Sequence, residues 1–246
     1  MVTPAALTSV RSLTAPIGDL GGRWMLAPEV LGPCRDAGYP NGFAYYVAGR
    51  GGVLGEVDAD VVVSAFAFFE PGLVRKLWDE GIAVEGARAT ASRYGAACAG
   101  FWSERLAGFA GCARLAELAA TVVDTADPSG LALFAGWRAE PRPDDAAERA
   151  GFLLHVLREM RGSAHIVAVV AAGLTPLEAL LATSGAEGGQ RFGWSGPFAD
   201  VGADLKRPAE DLTDAIVARL YASALDDDAL AEFVSLVEAA RAHLDA

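Results

Sequence analysis

Residues 157–178 read LREMRGSAHIVAVVAAGLTPLE, and this stretch decides the fold. Apolar residues recur at helical spacing on both sides of Gly162. A glycine after such a pattern is typical of a helix end, and a serine of a helix start. The stretch therefore predicts one helix over residues 146–161 and a second over residues 165–172, with Ser163 as the cap of the second helix.

The start of a third helix is predicted directly after Gly173. The side chain of Thr175 can accept a hydrogen bond from the backbone of Glu178, whose carboxylate can reach back to the cap, and Pro176 fits the first helical position. Three helices joined by single-glycine turns are typical of a helix-turn-helix unit.

The composition agrees with a helical fold. The chain has 246 residues, of which 52% are hydrophobic and 21% charged, with a net charge of −12. Alanine, the best helix former, is abundant. These values exclude a disordered, collagenous or disulfide-rich chain and a basic nucleic-acid binder. We predict a mainly α protein, a multi-helix bundle with helix-turn-helix-like units and at most a small β wing.

The segment from Pro141 to Asp145 is the best boundary along the chain, because two prolines and two aspartates break the apolar pattern. It predicts an N-terminal helical subdomain over residues 1–140, which carries an aromatic cluster. A C-terminal helix-turn-helix-like subdomain would follow over residues 141–246, and the two would pack as one unit.

Three further segments carry structural predictions. Prolines and glycines punctuate the first fifty residues, which predicts short helices joined by tight turns. Residues 61–63, three valines, favour a helix over the alternative of a β-strand. Near the C-terminus an apolar face predicts a packing or dimerisation stripe, and with it a homodimer through the C-terminal helices. The stripe is made of Leu230, Phe233, Val234, Val237 and Leu244.

Cysteine usage and hydropathy point to a soluble cytoplasmic protein. The three cysteines are odd in number and lack CxxC spacing, which argues against a disulfide framework and against a zinc site. The longest apolar run, residues 166–174, is far shorter than the roughly 20 residues of a membrane span. No membrane partner is expected.

Motifs for nucleotides, phosphates, nucleophilic serines and zinc proteases are absent, so no cofactor and no metal are predicted. His165 is the most informative of the three histidines. In the first turn of its predicted helix, the dipole disfavours the charged imidazolium. A neutral imidazole there could act as a base, as a hydrogen-bond partner or as an axial haem ligand, and a purely structural histidine is the alternative.

The candidate site combines charged and aromatic residues. Two arginines and His165 meet at the predicted helix break, where they could hold a carboxylate or phosphate or, alternatively, form salt bridges. Among the aromatic residues, Phe66 and Phe69 are predicted in the core. We predict His165, Arg161 and Arg158 as catalytic residues, and Tyr45, Tyr46, Arg50, Phe68 and Trp194 as ligand-binding residues.

Three blocks of sequence carry a resemblance to a known family. They are Tyr45-Tyr46-Val47-Ala48-Gly49-Arg50 with Val53-Leu54-Gly55, then Val61 to Pro71, then Leu157-Arg158-Glu159 with Arg161-Gly162, His165, Ala171-Ala172-Gly173-Leu174 and Gly193-Trp194-Ser195. Over residues 25–245 the chain resembles the actinobacterial SalK-like proteins, which are related to winged helix-turn-helix domains. The resemblance implies a place near natural-product gene clusters.

This chain departs from the family pattern at two points. Relatives tend to have an Arg-Gly-Asp-Gly-His run where residues 161–165 read Arg-Gly-Ser-Ala-His, and a Trp-His pair where this chain has Leu154-His155. The acidic residue of the first run is missing, so a chemical role of that acid in relatives does not carry over to this chain. The region after Trp194, where a wing would lie, has little strand pattern.

Charge argues against nucleic acid as the partner. Phosphate contacts need lysine and arginine, yet residues 199–246 hold four bases and eleven acids. The predicted recognition helix, residues 176–183, has no base and carries Glu178. A small-molecule partner is expected instead.

These observations favour a small-molecule-binding helical protein of bacterial secondary metabolism. Its aromatic-lined pocket with Arg and His would serve either a binder or a cofactor-independent enzyme that uses acid–base catalysis for cyclisation, isomerisation or elimination. The alternatives are a winged helix-turn-helix regulator that binds DNA, a haem-binding protein and a helical oligomerisation scaffold.

Overall fold

The computed structural model describes residues 2–245 and contains twelve α-helices and no strand within that range, which confirms the mainly α prediction. In chain order the helices are α1 (Pro4–Gly22), α2 (Pro28–Leu31), α3 (Gly42–Gly51), α4 (Ala59–Phe66), α5 (Pro71–Glu85), α6 (Ala87–Arg105), α7 (Cys112–Thr125), α8 (Ala132–Arg138), α9 (Ala146–Ala171), α10 (Pro176–Arg191), α11 (Arg207–Ala222) and α12 (Asp227–Leu244).

Helix α9 is the centre of the bundle. It is 26 residues long, and the side chain of Asp145 caps its start by accepting from the backbone of Ala147 and Glu148. Helices α1, α6, α7, α8 and α11 pack around it. Nearly every residue from Ala150 to Met160 is buried, as expected for a helix that neighbours surround on all sides.

The predicted helix break at Gly162 is wrong. Helix α9 continues through Gly162 and Ser163 to Ala171, so Ser163 is an interior residue and not a cap. A glycine inside a helix costs only about 0.5–1 kcal/mol, and packing on five neighbouring helices outweighs this cost. A Cβ added at Gly162 would meet no described atom within 4 Å outside its own helix.

The helix-turn-helix consists of two helices, α9 and α10, and not of three. Gly173 forms the turn with a φ of +76°, a conformation that favours glycine. The predicted capping box starts α10: the Thr175 hydroxyl accepts from the Glu178 backbone at 3.2 Å, and the Thr175 backbone donates to the Glu178 carboxylate at 2.9 Å. The two helices are bent by 111°.

The first fifty residues differ from the expected short helices in one respect. Helix α1 is a continuous helix of 19 residues that contains Pro16 and ends in Gly21 and Gly22. It packs against α9, α11 and α12, so the N-terminal helix lies among the C-terminal ones. The three valines at residues 61–63 lie in α4, so the preference for a helix over a strand there is confirmed.

The C-terminal apolar stripe packs inside the chain. Leu230, Phe233 and Val237 are buried and belong to the same hydrophobic core as the N-terminal helices. Helix α12 contacts α1 and α7. A homodimer through the C-terminal helices would therefore need a different surface.

No helix within residues 2–245 is both long enough and apolar enough to cross a bilayer. Helices α9 and α10 reach the required length and composition only as a pair, with the 111° bend between them.

Candidate functional site

A pocket of about 600 Å³ lies between α1, α3, α4 and α9. Its apolar lining comes from several parts of the chain, among them the end of α4, the turn that follows it, and the residue after α10. It includes four phenylalanines, which we call the phenylalanine wall, namely Phe66, Phe68, Phe69 and Phe192.

The polar side of the pocket is strongly cationic. Among the described lining residues there are four arginines and no aspartate or glutamate, although the whole chain carries a net charge of −12. The arginines are Arg23, which follows α1, Arg50 at the end of α3, and Arg158 and Arg161 on α9.

A buried ion cluster forms the floor of the pocket. Arg50 donates twice to the carboxylate of Glu159, from Nε at 2.9 Å and from Nη2 at 2.8 Å. Arg158 donates to the same carboxylate from Nη1 at 2.9 Å. Two guanidinium groups thus share one carboxylate, and the cluster keeps one positive charge in excess.

The surroundings of Glu159 fix its charge. Burial alone would raise the pKa of this fully buried carboxyl, but the charges of Arg50 and Arg158 and the hydrogen bonds from Arg50 outweigh burial and hold the pKa at about 2. Glu159 in turn raises the pKa of Arg50 above its ordinary value, against the opposing effect of burial.

Neighbouring aromatic residues hold Arg50 in place. Its guanidinium lies over the ring of Phe66, 4.6 Å from the ring centroid. Its Nη1 donates to the hydroxyl of Tyr46, one turn earlier on α3, at 3.3 Å. All three side-chain nitrogens of Arg50 therefore have hydrogen-bond partners, and these partners fix the position of the guanidinium.

His155 lies beneath the cluster and is neutral. Burial lowers its pKa to about 4, and Glu159, 4.0 Å away, only partly opposes this shift. The imidazole Nδ1 lies 3.2 Å from the carbonyl oxygen of Gly21, and the ring meets Trp24 and Trp137 edge to face. Because a carbonyl only accepts, Nδ1 carries the proton and Nε2 is left as a buried acceptor without a partner.

The other two pocket arginines have their own acidic partners. Arg161 pairs with Glu210 at 3.1 Å and lies 3.9 Å from Asp214, both on α11. Arg23 pairs with Asp19 at 2.7 Å. Their charges are compensated locally, in contrast to the pair around Glu159.

The structure describes no cluster of three or more His, Cys, Asp or Glu side chains that could hold a metal ion between residues 2 and 245.

The pocket and the helix-turn-helix meet at the end of α10. The backbone of Glu70 donates to the carbonyl of Phe192 at 2.9 Å, and the rings of Phe69 and Phe192 lie 4.6 Å apart. A family model described as a helix-turn-helix family matches residues 10–198. The chain belongs to this helix-turn-helix family. No curated protein and no solved structure matches it.

The range that matches the helix-turn-helix family contains the whole pocket. The lining residues run from Thr14 to Phe192, so both walls and the ion cluster fall inside residues 10–198. Helices α11 and α12 lie outside that range. The pocket therefore lies within the part of the chain that the family model matches.

Five of the eight predicted site residues line the pocket. They are Arg158, Arg161, Tyr46, Arg50 and Phe68. The structure brings them together although they come from three separate parts of the sequence.

Tyr45 and Trp194 lie outside the pocket lining. Tyr45 is buried in the core, with its ring 4.8 Å from that of Tyr39 and 5.3 Å from that of Tyr94. The indole Nε1 of Trp194 donates to the carbonyl of Phe68 at 2.8 Å, so Trp194 supports a pocket residue from behind.

His165 does not line the pocket, but its ring stacks on that of Phe68, which does, with the ring centroids 5.6 Å apart. The hydroxyl of Thr213 donates to the carbonyl of Ala209 at 2.7 Å, so it must accept from His165 Nδ1 at 2.9 Å. Burial lowers the pKa of His165, Glu210 raises it and Arg161 lowers it further. His165 lies inside α9, so burial takes the place of the helix start on which the sequence argument rested.

Four important residues were not singled out for the site from the sequence. Glu159 and Phe192 were not considered for it, and Phe66 and Phe69 were assigned to the core alone, whereas both line the pocket and Phe69 is only half-buried. A signal for Glu159 exists: it follows Val156 by three residues and precedes Ser163 by four, which places a carboxylate on the buried face of α9.

Proposed function

We propose that this helix-turn-helix family protein binds a small molecule in the pocket between α1, α3, α4 and α9. One observation carries the proposal: a cavity of about 600 Å³ that combines four phenylalanines with four arginines and no described acid. Ligand sites are typically concave, mostly apolar and about 300–1,000 Å³ in volume, with a few convergent polar groups. The pocket has each of these properties.

Binding is favoured over catalysis as the primary role. Acid–base chemistry needs a group within hydrogen-bond reach of the reacting atom. His165, the predicted base, does not line the pocket, whereas Tyr46 and Ser163, which carry hydroxyls, do. Any cyclisation, isomerisation or elimination would therefore use these hydroxyls rather than His165.

The resemblance to SalK-like proteins supports a role in bacterial secondary metabolism as part of the same proposal. A pocket lined with phenylalanines would accept an apolar ligand. The family match supports only the broader helix-turn-helix family.

Filling the pocket is expected to abolish binding of a probe. Gly162 lines the pocket, and a Cβ there meets no described atom within 4 Å outside α9. The Gly162→Leu side chain would enter the cavity without straining the helix. We expect at least a roughly tenfold loss of affinity for the fluorescent anion 8-anilinonaphthalene-1-sulfonate, measured by titration, since the apolar contact area is removed.

Gly100→Leu is the matched control for this experiment. Gly100 is an exposed glycine inside α6, also with no described atom near its Cβ, and it does not line the pocket. Its variant should bind the probe like the parent chain. Equal affinity in the two variants, with native circular dichroism, would show that the probe binds elsewhere and would contradict the proposal.

A DNA-binding regulator is the second candidate, because the family is described by its helix-turn-helix and α9 and α10 cross at 111°. Such motifs place two helices at roughly 90–120°. The charge does not fit: residues 176–183 carry one acid and no base. We expect no mobility shift of a random duplex at low salt, and a shift that salt abolishes would favour the regulator.

A further inference from the structure

We propose that the pocket selects a monoanionic aromatic ligand, a carboxylate that docks on Arg158. This inference rests on the proposed function, because it names the ligand class of the same pocket. Three observations carry it: the shared carboxylate of Glu159, the local pairing of the other arginines, and the phenylalanine wall.

Arg158 is the pocket arginine that has unused hydrogen-bond donors. Arg50 uses Nε and Nη2 for Glu159 and Nη1 for Tyr46. Arg158 gives Glu159 a single hydrogen bond from Nη1, and no other described group accepts from it. It lines the pocket and is about one-third exposed, so its remaining N–H groups face the cavity or solvent. A carboxylate can accept from such a fork.

The excess of one positive charge sets the charge of the ligand. Glu159 neutralises either Arg50 or Arg158, but not both. Arg161 is compensated by Glu210 and Asp214, and Arg23 by Asp19. One anionic group on the ligand balances the pocket. A second anionic group would find no arginine whose charge is uncompensated.

The phenylalanine wall of the same pocket indicates what the uncharged part of the ligand is. Phe68, Phe69 and Phe192 offer aromatic surface, and aromatic rings pack on each other with an added gain beyond the buried area. Tyr46 accepts from Arg50, which leaves its hydroxyl hydrogen free for an acceptor on the ligand. The combination fits a planar aromatic acid.

Three probes built on the same naphthalene ring system test the charge. They are 2-naphthoate, a monoanion; 2-naphthamide, its neutral isostere; and 2,6-naphthalenedicarboxylate, a dianion. Titration calorimetry at low salt should give about tenfold tighter binding of 2-naphthoate than of either other probe, since a charge-assisted hydrogen bond adds roughly that factor. Equal binding of the amide, or tighter binding of the dianion, would overturn the monoanion assignment while the pocket function stands. Absence of binding by all three would overturn both.

The variant Arg158→Gln tests the docking point. We expect 2-naphthoate to bind about tenfold more weakly and 2-naphthamide to bind unchanged, because only the carboxylate needs the guanidinium. Arg149→Gln is the matched control, since Arg149 also lies on α9 and donates to backbone carbonyls outside the pocket. An equal loss for both probes would show that Arg158 acts only on the shape of the pocket, and would contradict the docking point.

Discussion

The variant Glu159→Gln is expected to lose about 3–5 kcal/mol of the free energy of unfolding, the usual result of removing one partner of a buried ion pair. Glutamine keeps the shape of the side chain but removes its charge. Arg50 is buried, and both of its bonds to Glu159 depend on a carboxylate. The uncompensated guanidinium then destabilises the folded state. Urea unfolding at pH 7, followed by circular dichroism, measures the loss.

Two further variants separate the loss of the buried ion pair from the general effect of removing a carboxylate. Glu232→Gln removes a carboxylate that pairs with Arg114 on the surface, and it should leave the urea midpoint unchanged. The double variant Arg50→Met/Glu159→Met removes both charges and should recover much of the loss, because apolar replacements of a buried pair are often nearly neutral. An unchanged midpoint in Glu159→Gln would contradict the role of the ion pair in the fold.

The helices followed from the sequence wherever local signals and packing agree. The capping box of Thr175 and Glu178 predicted the start of α10 correctly. Gly162 and Ser163 form an equally clear local signal for a break, yet α9 continues through them. The difference lies in the surroundings: α9 is buried on both sides of Gly162, from Ala150 to Met160 and again at Ser163, Ala164, Ala168 and Val169, so tertiary packing overrides the glycine.

The same distinction between local signals and tertiary packing explains which parts of the candidate site the sequence could predict. Tyr46 and Arg50 stand one helical turn apart, so the sequence could place them together. Arg50 and Glu159 are 109 residues apart, and their pairing depends on how α3 packs near α9. Phe192 reaches the pocket only because α10 turns back toward α4. Spacing along the chain contains no information about such contacts.

Acid is expected to destabilise the protein from about pH 6.5 downward, because of His155. Its pKa is about 4 in the folded chain and 6.5 in the unfolded one. Between these values the unfolded chain binds a proton that the folded chain does not, so the free energy of unfolding falls as the pH falls. The loss from His155 is about 3 kcal/mol by pH 4. Glu159, with a folded pKa of about 2 against 4.5, extends the loss below pH 4.5.

The variant His155→Asn should flatten this pH dependence between pH 6.5 and 4.5. Asparagine offers an amide donor for the Gly21 carbonyl but does not titrate, so it removes the dependence of the free energy of unfolding on pH that His155 causes. Because its side chain is smaller, it also lowers the free energy of unfolding at every pH. His243→Asn is the control for the loss of a histidine as such, since His243 lies half-buried near the end of α12, with its Nε2 3.2 Å from the carbonyl oxygen of Ala107. Urea midpoints at pH 7.5, 6.0 and 4.5 give the three slopes. If the slope of His155→Asn equals that of the parent, the acid sensitivity has another source, and His155 is not held neutral by its burial against Trp24 and Trp137.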